Sequence, residues 1–247
     1  MKFCRPNLPQ NAAALCIVSG TNKQAVAALE KRGISCCITR PSPALSRPVA
    51  AHADMLALLV GPGRLIVAAD QRELIGRMVR TGAAVEKFDG LRPGYPQETA
   101  LNALLLGDLC IGGATAVNAL NSFETKIKRE VVVKQGYARC SAIPVTETAL
   151  ITADKGIADA AQSAGLEVLL LEQENKIQLP GYQHGFLGGC CGKLSAHELA
   201  FCGDFEQLEQ HRQIREFLQR FDVEPLSLTK GPMQDIGGIL VVAEADH

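Results

Sequence analysis

Five times along this chain a short apolar run leads into a helix-like stretch, a turn and a second apolar run. The first instance is 12–19 (AAALCIVS) closed by Gly20, then 22–31 with Val26 and Leu29 on one face, then Gly33 and 34–39. The second is 64–69 (RLIVAA), 70–80, Gly82 and 84–88. The others are 109–112, 114–128 and 131–134; 149–152, 154–164, Gly165 and 166–171; and 199–202, 204–221 and 223–228. Polar caps such as Asp70, Asp154 and Asp204 start helices, and glycines stop them. The strand-to-helix junctions, near Gly20, Asp70, Gly113, Asp154 and Asp204, lie 41 to 50 residues apart, a loose but persistent period.

Each of the last four units is preceded by one more short strand-like run, at 55–60, 100–106, 140–145 and 184–191. The first unit has none ahead of it; the missing run stands at the far end, 236–243 (IGGILVVA). Tight turns such as Gly61-Pro62-Gly63 and Gly107-Asp108 join antiparallel partners, where a wholly parallel sheet would need crossovers. The expected fold is therefore α/β. It is a five-bladed ring of ββαβ repeats with pseudo-fivefold symmetry, closed by the C-terminal strand so that no edge is left exposed. One domain over 1–247 is expected, its repeats at roughly 12–40 plus 236–243, 54–89, 99–134, 139–172 and 184–229.

Composition narrows the function classes. Lys and Arg number 25 against 26 Asp and Glu, so nothing announces a nucleic acid or an anionic membrane as partner. No run approaches the ~18 apolar residues of a membrane span, and the N-terminus does not read as a secretory signal, so a cytoplasmic location is expected. The nine cysteines fit that compartment, and Cys16, Cys36, Cys37, Cys110 and Cys202 read as small core residues. Aromatic content is 4 %, leaving few stacking platforms for bases. There is no GxxxxGK[ST], GxGxxG or GxSxG. Cys190-Cys191-Gly192 is spelled like the CCG element of cluster-binding oxidoreductases, but no CxxC accompanies it; no metal and no cofactor are expected.

A fivefold ββαβ ring of this length resembles the pentein superfamily, the α/β-propellers. That family holds arginine and agmatine deiminases, amidinotransferases and dimethylarginine hydrolases, together with a non-enzymatic branch, the ribosome anti-association factors. The resemblance implies a central pocket lined by the inner strands, a Cys nucleophile, a His in a His-x-Asp sequence, and carboxylates that hold a guanidinium group. His52-Ala53-Asp54, at the head of 55–60, is similar to that motif in spelling and position. The departure is at the other end. Those enzymes carry their Cys in the last inner strand, which here opens Gln234-Asp235-Ile236-Gly237-Gly238.

The channel ends of the inner strands supply the candidates. Cys140 is expected as the thiol and His52 as the proton carrier, with Cys190 and His184 as second choice; Arg139 beside Cys140 would lower the thiol pKa if it pointed the same way, though adjacent strand residues usually point to opposite faces. Asp54, Glu98, Asn102 and Asp235 are expected to bind substrate, since carboxylates hold guanidinium N–H groups by charge-assisted hydrogen bonds. Two functions follow. One is a Cys/His-dependent hydrolase or transferase acting on a guanidino or amidino small molecule in the central pocket. The alternative is a non-catalytic binding protein related to the anti-association branch. Homo-oligomers are compatible with either reading. His197, His211 and His247 are expected at the surface without a role.

Overall fold

The antiparallel inner pairs of strands in this chain are buried on both faces, and that fact organises the whole molecule. The computed structural model describes residues 1–172 and 176–246; His247 lies outside them. Along the chain, β1 (Lys2–Phe3) and β2 (Ala13–Ser19) lead to α1 (Lys23–Lys31) and β3 (Ser35–Thr39). One helical turn, α2 (Ala53–Leu56), enters β4 (Ala57–Gly61), followed by β5 (Arg64–Ala68), α3 (Arg72–Arg80) and β6 (Ala84–Phe88). The third unit is β7 (Leu104–Leu106), β8 (Leu109–Gly113), α4 (Ala114–Leu120) and β9 (Arg129–Val133). The fourth is α5 (Ala138–Ser141), β10 (Ala142–Thr146), β11 (Ala149–Thr152), α6 (Lys155–Ser163) and β12 (Glu167–Leu170). The fifth is β13 (Cys191–Lys193), β14 (Glu198–Phe201), α7 (His211–Gln219) and β15 (Glu224–Ser227), after which comes β16 (Leu240–Glu244).

These strands form five small sheets. Four are three-stranded, an antiparallel inner pair plus a parallel outer strand reached through the helix, as in β4-β5-β6. The fifth has the order β1-β16-β2-β3: β16 pairs antiparallel with β2, Leu240 opposite Ile17 and Val241 opposite Cys16. The C-terminal strand thus supplies the inner strand of the first sheet and closes the ring. β1, an added edge on β16, carries no strand signal of its own in the sequence.

The core follows from the period-2 alternation of side chains. Leu15 and Ile17 of β2 face a cluster shared with Leu59 and Val67 of the second sheet, while Cys16 and Val18 face one shared with Ala200 and Cys202 of the fifth. Three further clusters join sheets two and three, three and four, and four and five. Five clusters thus link five sheets in a cycle, which explains why the strands read as continuous apolar runs rather than alternating ones. All nine cysteines are buried and free, those expected in the core included. No helix among the described residues is long and apolar enough to cross a membrane.

Two helices are shorter than the sequence suggests. The helix expected over 114–128 ends at Leu120. Ser122 donates both its N–H and its hydroxyl to the Ala119 carbonyl, satisfying an orphan acceptor and stopping propagation. The helix expected over 204–221 is split into a 3-10 turn, Phe205–Gln207, and α7, because Phe205 and Leu208 turn inward to the core between sheets four and five.

Candidate functional site

Four of the five inner strands are reached through a short helical turn. β4 is entered through α2, β10 through α5, and β7 and β13 through the 3-10 turns Gln97–Thr99 and Gly188–Cys190. Cys140, expected at the head of a strand, therefore lies on α5. On a helical turn, neighbours are about 100° apart, so Arg139 and Cys140 are both buried but reach different partners. Arg139 donates from Nε to Asn7 Oδ1 (3.0 Å) and from Nη1 to the Gly188 carbonyl (3.3 Å). It bears on the Cys191 thiol rather than on Cys140.

The Cys140 thiol donates to Asp54 Oδ2 at 3.1 Å and accepts from Asn102 Nδ2 at 3.1 Å. Asn102 is the frame of this group. Its Oδ1 takes the N–H groups of Arg139 (2.9 Å) and Cys140 (3.3 Å), and its Nδ2 also reaches the Asp54 carbonyl (3.1 Å). Burial pushes the Cys140 thiol well above its usual range, and the negative charges of Asp54 and Asp235 push it further. The expected Cys140–His52 pairing is not what the structure assembles: among the described residues no thiol lies within hydrogen-bond reach of the His52 imidazole. Asp54 is the sulfur's proton acceptor instead.

His52 faces Asp235, with Nδ1 3.7 Å from Oδ1, too long for a hydrogen bond. Asp235 accepts from Gly237 N (3.0 Å) and Phe186 N (2.8 Å). Burial raises its carboxyl above the usual range, with Asp54 adding to the effect and His52 opposing it. Two buried polar atoms here have no partner, His52 Nδ1 and Asp54 Oδ1. His52 and Asp235 floor a cavity of about 810 Å³ whose walls include Lys23, Arg47 and Gln178. Beyond them the hub is filled: the void beside Asp54 and Arg139 is about 10 Å³. The open approach to this group is therefore on the His52–Asp235 side.

The remaining candidates are otherwise engaged. Glu98 is buried, with Oε2 taken by the N–H and hydroxyl of Ser46 and Oε1 by Tyr137 (2.6 Å). Cys190 donates to the Phe186 carbonyl, and burial raises its pKa. His184 packs edge-on to Phe186. His197 is exposed and His211 half-buried over Phe205. The paired glycines let protein approach protein. A Cβ at Gly188 would stand 2.5 Å from the Cys140 and Ala142 carbonyls, and one at Gly237 2.4 Å from His52 Cβ. Asn7, which anchors Arg139, was beyond sequence reasoning, since it lies in an N-terminal segment with no regular pattern. Among the described residues no three His, Cys, Asp or Glu side chains are placed to hold a metal ion.

Comparison with known proteins gives the same picture. In solved structures the ring is similar to inosamine-phosphate amidinotransferase of Streptomyces griseus (TM-score 0.63, 10 % identity, covering 100 % of this chain and 98 % of that one). It is similar to an amidinotransferase of the saxitoxin pathway from Microseira wollei (0.58, 12 %, 100 % and 98 %). It is similar also to dimethylarginine dimethylaminohydrolase of Pseudomonas aeruginosa, solved with citrulline (0.53, 12 %, 92 % and 96 %). At these identities the likeness is one of fold. No curated protein matches the chain in sequence. The profile described as "Family of unknown function (DUF6873)" matches residues 17–240. Nearly the whole ring is thus accounted for twice, and the chain belongs to the DUF6873 family and carries the pentein fold.

Proposed function

We propose that the hub binds a small organic cation of the guanidino or amidino class, and that the activity to seek there is cleavage or transfer at a C–N bond of that group. One observation carries the reading: Asp54 and Asp235 are two buried carboxylates, Arg139 forms an ion pair with neither among the described residues, and His52 faces Asp235 at 3.7 Å without a hydrogen bond. Buried charge without a hydrogen-bonded counter-ion is costly, and the raised pKa of Asp235, which burial causes and His52 only partly opposes, is one expression of that cost. A planar cation entering past His52 supplies the missing charge and donors for carboxylate oxygens. The structural neighbours named above are guanidino-modifying enzymes, which supports the substrate class.

Such a cation also changes the thiol. A cation at Asp235 offsets one of the two negative charges that hold Cys140 protonated, so binding favours the thiolate. Cys140 does not line the cavity, so the packing between Asp235 and Cys140 must part before its thiolate attacks the guanidinium carbon. Its proton passes to Asp54, an S–C bond forms, a C–N bond breaks, and the proton ends on the departing nitrogen. Water, or a second amine in a transferase, displaces the sulfur and restores the thiol. A second reading is binding without turnover, as in the non-enzymatic pentein branch. It is favoured by the absence, among the described residues, of an imidazole in reach of Cys140.

Calorimetry with arginine, agmatine and guanidinium, together with release of ammonia or amine, separates the cases. Wild type binds. Asp235→Asn weakens binding by about tenfold or more, the scale of a lost charge-assisted hydrogen bond. Cys140→Ala keeps binding and loses turnover. Binding without turnover in the wild type selects the second reading, and no binding across the panel sinks both. Acid should weaken binding as well. The carboxylate of Asp235 must be ionised to hold a cation, and its pKa is raised, so affinity should begin to fall at less acid pH than an ordinary Asp would dictate. Stability runs the other way. The native state holds this proton more tightly than the unfolded chain, so between the ordinary Asp range and the raised value this group's contribution falls as pH rises.

A further inference from the structure

We propose that the hub holds one buried water in the void beside Asp54, and that this water joins Arg139 to Asp54 as a water-separated ion pair. The site lies apart from the cavity floored by His52 and Asp235, and the inference is independent of what that cavity binds.

Two buried charges here have bonds left to make. Asp54 is 1 % exposed; its Oδ2 takes the Cys140 thiol, and its Oδ1 has no hydrogen-bond partner among the described residues. An ionised carboxylate offers about four lone-pair sites, so most of its accepting capacity is unmet where burial makes that costly. Arg139, also buried, has the complementary shortage. Its Nε goes to Asn7 and its Nη1 to the Gly188 carbonyl, while Nη2 has no acceptor among the described residues. The two side chains make no direct hydrogen bond with each other.

The space between them has the size of one water. Asp54, Arg139 and Asn7 line a void of about 10 Å³ whose other walls are aliphatic, among them Leu59, Leu101 and Val241. A water needs a volume on the order of 10–15 Å³ and two to four polar partners. Gly238 marks the same neighbourhood: a Cβ there would stand 3.5 Å from Arg139 Nη2 and 3.7 Å from Asp54 Oδ2, so both charged groups reach toward one point. The bridging water accepts from Nη2 and donates to the Asp54 carboxylate. Its second proton has Asn7 Oδ1 as an acceptor, which takes one other bond, from Arg139 Nε. An ion fits less well, because the lining carries one charge of each sign. Bridging waters are nearly as favourable as direct hydrogen bonds. Arg139 thus serves Asp54 through the water, whereas Asp235 faces His52 at 3.7 Å.

A crystal structure of the full chain at high resolution tests the site directly. A density peak at hydrogen-bond distance, roughly 2.6–3.2 Å, from both Arg139 Nη2 and an Asp54 oxygen is expected. A dry void, or a direct contact between the two side chains, would overturn the proposal. Melting temperatures test the pairing in solution. Arg139→Gln should lower the melting temperature of the wild type by at least about 3 °C more than it lowers that of Asp54→Asn, since the second background has already lost the charge that Arg139 serves. Equal losses in the two backgrounds would show that Arg139 acts through Asn7 and Gly188 alone, and the water-separated pair would fall.

Discussion

A chain ended after Gly238, and so lacking β16, is expected not to fold. β16 is a central strand, hydrogen-bonded to β1 on one side and β2 on the other, and all five of its residues are buried. Leu240 and Val242 belong to the cluster shared with the second sheet, and Val241 to the one shared with the fifth. Burying such side chains contributes about 1.5–3 kcal/mol each, so removing the strand takes away a sum on the order of the whole stability of a domain, about 5–15 kcal/mol. It also opens the cycle, exposing the flanks of two sheets. A full-length counterpart is Val242→Asp, which buries an unpaired carboxylate where wild type is 0 % exposed and should cost at least about 3 kcal/mol. Val132→Asp on the outer strand β9, 59 % exposed, should cost less than about 1 kcal/mol. Thermal unfolding followed by circular dichroism reads all three. A truncated chain that melts cooperatively at the wild-type temperature would show that the ring does not depend on its closing strand.

The ring was legible because of how its strands are packed. A strand covered on both faces must be apolar at consecutive positions, so runs such as 64–69 and 149–152 stand out, and the glycines at 33, 82 and 165 mark where helices stop. The closing strand was legible through an imbalance, since the first unit had no inner strand and 236–243 had no unit. The site was legible only in part. His52, Asp54, Asn102, Cys140 and Asp235 do gather at the hub, yet the partnership inferred for Cys140 was with His52, and the structure gives it to Asp54. Two causes account for the difference. Asp54 and Cys140 sit on four-residue turns, Ala53–Leu56 and Ala138–Ser141, too short to leave a helical period in the sequence. Which side chain meets which is then decided by how five separate blades are rotated about the hub, and no local pattern records that rotation. Arg139 and Asn7 illustrate it: they are 132 positions apart and joined at 3.0 Å.

Gly188→Ala should be among the most damaging single methyl groups that could be added to this protein. A Cβ there would lie 2.5 Å from the carbonyl oxygens of Cys140 and Ala142 and 2.7 Å from that of Arg139. All three are backbone atoms of α5 and the start of β10, so relief requires moving one blade against another. The turn Gly188–Cys190 is also where the closing segment docks, through Ile236 N and Gly238 N to the Gly189 carbonyl at 3.0 and 2.8 Å. We expect a loss of about 3 kcal/mol or more, in the range of severe overpacking. Gly82→Ala is the control. Its φ of +89° carries only the backbone penalty, about 1 kcal/mol, because nothing lies within 4 Å of the new Cβ. Gly189→Ala separates packing from function. Its Cβ would fall 2.0 Å from Asp235 Oδ1, and a carboxylate can swing aside more easily than a backbone can move. That variant should lose less stability than Gly188→Ala yet lose cation binding as fully as Asp235→Asn, because the displaced carboxylate surrenders its bonds from Phe186 and Gly237. Chemical denaturation and ligand calorimetry on the three variants decide the matter. A Gly188→Ala protein no less stable than Gly82→Ala would mean that the hub is looser than its backbone spacing implies, and a Gly189→Ala protein that still binds the cation would detach Asp235 from the site.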